Sequence, residues 1–185
     1  KTGERLMPAL LPRWGKVRSF VAHPGAVSLK PPPPFTEDPN NEYFKQANEV
    51  MLIQSQLSNE ERWIADFWSD DRSGLTMTPP GRWFSIAFQA ADQSGLSFLD
   101  RLRLNLHLGA ALHDAAIRVW EGKYEYSILR PETFIKRHLA LDWFPYISSP
   151  TFPTYPSGHA AFGAVSEVVL TEWFGDDYVL TDRTH

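Results

Sequence analysis

The sequence predicts an all-α protein, a helical bundle preceded by an extended N-terminal arm. Three observations point there. Apolar residues recur at helical spacing from Asn41 onward. No segment shows the alternating pattern of a half-buried strand. The 15 prolines cluster between the periodic segments, where they act as punctuation. With 185 residues and 43% hydrophobic content, the chain is long enough for one sizeable core. A net charge of −4 argues against a nucleic-acid partner, so any site for an anion must be a local cluster of cations. The absence of cysteine excludes disulfides and thiolate metal sites. No apolar run approaches the roughly 18–20 residues of a membrane span.

The elements follow in order. Residues 1–40 read as an extended, proline-rich arm lying over the rest, because Pro8, Pro12 and Pro24 interrupt Trp14, Val17, Phe20 and Val21. Pro31–Pro34 reads as a stiff spacer. Residues 41–185 read as the helical domain. A first helix is expected over Asn41–Leu57, with Tyr43, Phe44, Ala47, Val50 and Met51 on one face. Ser58 and Glu61 form a capping box that opens a second helix carrying Ile64, Phe67 and Trp68. Asp70–Pro80 is expected to be a loop, Trp83–Ala91 a helix, and Ser97–Trp120 the longest helix. Phe144–Pro156 holds four prolines and reads as a loop. Ser157–Phe174 reads as the last helix, ended by Gly175.

Two features carry chemistry. Lys123 and Arg130 are seven residues apart, which on a helix is two turns and nearly one face. Both arms could converge on one anion, Arg with paired bonds and Lys as a point charge. Taken alone, such a pair on a solvated face is the default reading. The second feature is Tyr155-Pro156-Ser157-Gly158-His159, where a proline loop enters a helix. Ser157 can cap that helix, and its first amides then point outward, a ready anion site. Gly158 lets an oxyanion approach the backbone, and His159 can give or take a proton near neutral pH. Taken alone, this is equally a capped helix with an incidental histidine.

Together, Lys123, Arg130-Pro131 and Pro156-Ser157-Gly158-His159 resemble the signature of the vanadium haloperoxidase and type 2 phosphatidic acid phosphatase superfamily. Trp120-Glu121-Gly122-Lys123 and Phe152–Gly163 are similar to its chloroperoxidase branch. The resemblance implies that Lys123 and Arg130 bind oxygens of vanadate or phosphate. It implies that Ser157 and the Gly158 backbone donate further hydrogen bonds. His159 would be the acid–base histidine, with Trp120 and Phe152 beside the halide and peroxide pocket. Plain core packing is the other reading of both aromatics.

The implied activity is a soluble vanadate-dependent haloperoxidase that oxidises halide with hydrogen peroxide. The alternatives are an acid phosphatase acting on a small phosphomonoester at the same residues, or a non-catalytic oxyanion-binding module. The family pattern also has a third motif, a Ser-Arg pair followed by the histidine that ligates vanadium. Asp182-Arg183-Thr184-His185 does not match it. The expectation is that the C-terminal part of the domain is missing and that the chain binds oxyanion weakly and catalyses poorly alone. It would then associate with the remaining C-terminal segment or with another copy. Periplasmic or secreted localisation is expected from the family.

Other candidates carry less. His107 and His113 are six apart and do not share a helix face. Asp114 and Arg118 are spaced for a solvated i,i+4 pair, and His113-Asp114 could support the site from behind. His23 and His138 have no visible partner in the sequence. Glu60, Glu61, Asp66, Asp70 and Asp71 read as cap and loop residues before they read as a metal site.

Overall fold

The computed structural model describes residues 8–22, 28–70 and 76–184. Among these lie six α-helices and one 3-10 turn, with no strand. His23, Asp71 and His185, weighed above, lie outside the described residues.

Local chemistry explains each helix start. Asn41 Oδ1 accepts the Tyr43 amide at 2.8 Å and opens α1, Glu42–Ser55. Ser58 and Glu61 close the expected capping box ahead of α2, Asn59–Phe67. Thr78 caps α3, Pro79–Gln93, whose first residues are prolines. Ser97 caps α4, Phe98–Tyr126, and 29 residues make it about 44 Å long. An α5 helix, Pro131–His138, follows, and then α6, Gly158–Phe174. Gly175 ends α6 at φ 87, the expected glycine cap.

Two expectations change. α4 does not stop near Trp120 but runs to Tyr126, and α5 was not foreseen. Lys123 and Arg130 therefore do not share a helix face. Ser127, at φ 48 and ψ 41, turns the chain out of α4. Arg130 is held extended, at φ −67 and ψ 142, by the proline that follows it. α5 is short but firmly seated, because Phe134 and Ile135 are fully buried.

α4 is the central rod. α3 and α6 pack on it around Ala87, Ala91, Leu104, Leu108, Leu112, Ala116 and Phe162. The alanines keep the helices close. A second cluster joins α1 to α5 through Tyr43, Ala47, Phe134 and Ile135. The described part of the arm touches the helices. Its 3-10 turn, Trp14–Lys16, packs on α4. Past the prolines, Phe35 sets its ring 5.4 Å from Tyr43 and 5.8 Å from Phe134. Among the described residues no helix is long and apolar enough to cross a membrane.

Candidate oxyanion-binding site

The site begins with the loop that delivers α6. Ser157 Oγ accepts the Ala160 amide at 3.2 Å, and the Ser157 carbonyl accepts the Ala161 amide at 3.2 Å. The amides of Gly158 and His159 stand at the helix opening with no acceptor inside the helix. The loop ahead of Ser157 lies directly on α4. A Cβ at Gly122 would sit 3.2 Å from Pro156 Cδ and 2.3 Å from Leu29 Cδ1, so a side chain there would push the Leu29 side chain aside and crowd the loop.

That approach fixes Lys123. Its side chain is 1% exposed, and its Nζ donates to the carbonyls of Pro156 at 2.6 Å, Pro153 at 2.9 Å and Thr154 at 3.3 Å. The three protons of the ammonium are thus given to the loop, and the charge clamps Pro153–Pro156 against α4. Burial, with the Arg130 charge as a second cause, pushes the Lys123 ammonium down to about 8. In this structure Lys123 clamps the loop and places its charge beside the cavity.

Arg130 reaches the same loop from the other side. Its Nε donates to Phe152 O at 2.8 Å, and its guanidinium carbon lies 4.8 Å from the Phe152 ring centre. Lys123 Nζ is also 4.8 Å from that ring, so two cations lie near Phe152. Trp120 is 7% exposed and stands 5.2 Å from Phe152, ring to ring.

All seven anticipated residues line one cavity of about 630 Å³: Trp120, Lys123, Arg130, Phe152, Ser157, Gly158 and His159. His159 is exposed, and among the described residues its imidazole makes no hydrogen bond. A Cβ at Gly158 would meet only ordinary contacts, 3.7 Å to Phe162 and 3.8 Å to Trp120. A Cβ would fit there in ordinary contact with those two rings, so packing alone does not require glycine at this position. The donor set is a guanidinium, a serine hydroxyl and two amides at the positive end of a helix, beside a buried ammonium. It suits a compact oxyanion. A larger cleft of about 1240 Å³ holds none of these seven residues, and its lining is almost wholly apolar.

Other candidates resolve into structural roles. Asp114 does not pair with Arg118. Its carboxylate accepts three arm amides, and Arg118 pairs with Glu121. His107 Nδ1 accepts from Trp173 Nε1 at 3.4 Å, and His138 stacks on Phe134 with Glu37 3.6 Å away. Asp70 is buried against Arg82, and Asp66 accepts the Tyr146 hydroxyl at 2.8 Å. Among the described residues no cluster of His, Asp and Glu could hold a metal ion. Sequence reasoning missed Leu10, Leu11 and Trp14, which also line the cavity. No local pattern marks them, because the arm has no period.

Comparison with known proteins follows the same lines. The family model described as the VCPO second helical-bundle domain matches residues 137–185. Vanadium chloroperoxidase of Curvularia inaequalis is 29% identical over 134 residues, which is 59% of this chain and 22% of that protein. The crystal structure of the first bacterial vanadium-dependent iodoperoxidase is 34% identical, with a TM-score of 0.92 over 96% of this chain. This chain spans 45% of that structure's length.

Proposed function

We propose that the chain is a vanadium haloperoxidase-like protein and that it builds a vanadate site at which hydrogen peroxide oxidises halide. One observation carries the reading: the cationic, hydroxyl and amide donors converge with Trp120 and Phe152 on a single cavity at the start of α6. Both named relatives are vanadium haloperoxidases.

Arg130, Ser157 and the amides of Gly158 and His159 would hold the oxyanion, with the Lys123 charge behind the loop. Vanadate, when bound, supplies a Lewis-acidic centre that activates peroxide toward halide. The residues do the rest. The buried ammonium and the helix dipole lower the cost of gathering negative charge in a partly dehydrated pocket. The exposed imidazole of His159 can take a proton from incoming peroxide and return it to the departing oxygen. Trp120 and Phe152 give a polarizable halide an aromatic wall with two cations near it.

The test is titration of the chain with orthovanadate, followed by calorimetry. Arg130→Ala is expected to weaken binding at least tenfold, the usual scale for one charge-assisted contact. Halide oxidation should depend on added vanadate. Failure of the wild-type chain to bind vanadate would sink the reading. Hydrolysis of a phosphomonoester that vanadate inhibits would replace it with a phosphatase.

A further inference from the structure

The outer wall of the cavity comes from the arm. Leu10, Leu11 and Trp14 line it together with Trp120 and Phe152. Trp14 lies 4.6 Å from Trp120, ring to ring, and Trp120 lies 5.2 Å from Phe152, so three rings run in series.

Apolar packing at Trp14, which rests on the core beside Trp120, does not by itself hold the rest of this segment in place. Leu10 is 46% exposed, Leu11 49%, Phe20 70% and Val21 75%. Polar anchors at both ends do. At one end, the Leu10 amide donates to Thr151 O at 3.1 Å. The Leu10 carbonyl accepts from the Tyr124 hydroxyl at 2.7 Å and from Trp120 Nε1 at 3.3 Å. At the other end, the Asp114 carboxylate accepts the amides of Phe20, Val21 and Ala22 at 2.7, 2.8 and 2.8 Å. Between them the backbone presses on α4. A Cβ at Gly15 would come within 2.5 Å of the Glu121 backbone. Asp114 is itself 7% exposed. It precedes Trp120 by six residues and Lys123 by nine, about 9 and 14 Å along one rigid helix. The pin, the ring and the cation are set on one rod.

We propose that Trp14 is a specificity-determining wall of the candidate site and that Asp114 is the positioning residue that holds it there. The proposal deepens the reading of the cavity as an oxyanion and halide site, and rests on it. Trp14 narrows the approach to Trp120. A compact anion reaches the aromatic pair, and a bulky anion of the same charge does not.

The test uses the 185-residue chain with 15N-labelled backbone and indoles. Asp114→Asn is expected to speed hydrogen exchange at Leu10, Phe20–Ala22 and the Trp120 indole at least tenfold. Unchanged exchange overturns the positioning role. Should that variant fail to fold, Asp114→Glu decides: it keeps the charge but moves the carboxylate, and intermediate protection is expected, with wild-type protection counting against the role. For the wall, the probes are iodide and naphthalene-2-sulfonate, followed by the Trp120 indole resonance. In the wild type only iodide should shift it. In Trp14→Ala the sulfonate should also shift it, with affinity raised at least tenfold. Equal sulfonate responses in the two proteins overturn the wall role. If iodide shifts the resonance in neither, the halide reading of the site fails, while the exchange rates and the sulfonate contrast still decide the roles of Asp114 and Trp14.

Discussion

Two cations in this chain are buried to the same depth. Arg82 on α3 and Lys123 on α4 are each 1% exposed. Arg82 meets carboxylates. Its Nε and Nη2 reach Asp70 at 2.6 and 2.8 Å, and its Nη1 reaches Asp182 at 3.2 Å. The rings of Phe67 and Trp68 lie 4.5 and 4.8 Å from its guanidinium carbon. Lys123 meets carbonyls and aromatic faces, and among the described residues it pairs with no carboxylate. A buried charge without a counter-charge costs several kcal/mol. Arg82 is neutralised inside the protein and locks α3 to the residues flanking it. Lys123 keeps an unmatched positive charge against a cavity, where the proposed oxyanion would be its counter-charge.

The comparison breaks most visibly at Arg82. Arg82→Met strands the Asp70 carboxylate, which is 1% exposed, in the interior. The expected loss is about 3–5 kcal/mol of folding stability, read by urea unfolding. The vanadate affinity of the molecules that remain folded should not change, because Arg82 does not line the cavity. A loss below about 1 kcal/mol would mean that the ion pair is no more than a surface pair.

Lys123→Met should behave in the opposite way. It strands only carbonyls, at about 1–3 kcal/mol, and the relief of burying a bare ammonium offsets part of that. Vanadate affinity should fall more than tenfold. The pH dependence sharpens the contrast. Lys123 titrates at about 8 in the fold against 10.5 ordinarily. Between those values the unfolded chain binds the extra proton, so the Lys123 contribution to stability rises with pH across that window. Vanadate affinity should instead fall as pH rises through about 8, because the ammonium loses its charge. Both trends should vanish in Lys123→Met, measured as the difference from wild type at each pH. An affinity curve flat from pH 7 to 9 would remove Lys123 from the site.

The same two regions show what was legible in the sequence and what was not. The helix starts at Asn41, Ser58, Ser97 and Ser157 were readable because a cap is decided within about four residues. The candidate donors that line the cavity were readable because each motif is local in the sequence. The route by which Lys123 and Arg130 meet was not. It depends on Ser127 adopting a left-handed turn, which nothing local to Tyr124–Arg130 demands. Helix α5 was hidden because eight residues show barely two turns of period. Asp70 looked like a loop residue because its partner Arg82 is twelve residues on, and Asp182 is farther still. Asp114 looked like half of an i,i+4 pair because its real partners lie more than ninety residues away in the arm.

The smallest expected effect separates two functions of one atom. Ser157 Oγ caps α6, and in the proposed site its hydroxyl proton would also be offered to an anion. Ser97 Oγ caps α4 with the same 3.2 Å bond to a backbone amide, and Ser97 does not line the cavity. Ser97→Ala and Ser157→Ala should each cost about 1 kcal/mol of stability, since each loses one cap. Replacement by glycine should cost only a few tenths, because glycine is itself tolerated as a cap. Vanadate affinity separates the two sites. It should stay constant in both Ser97 variants and drop a few-fold in both Ser157 variants, including the glycine variant in which stability hardly moves. If Ser157→Gly bound vanadate as tightly as wild type, the hydroxyl would be a cap and nothing more. The anion would then rest on Arg130 and the amides of Gly158 and His159.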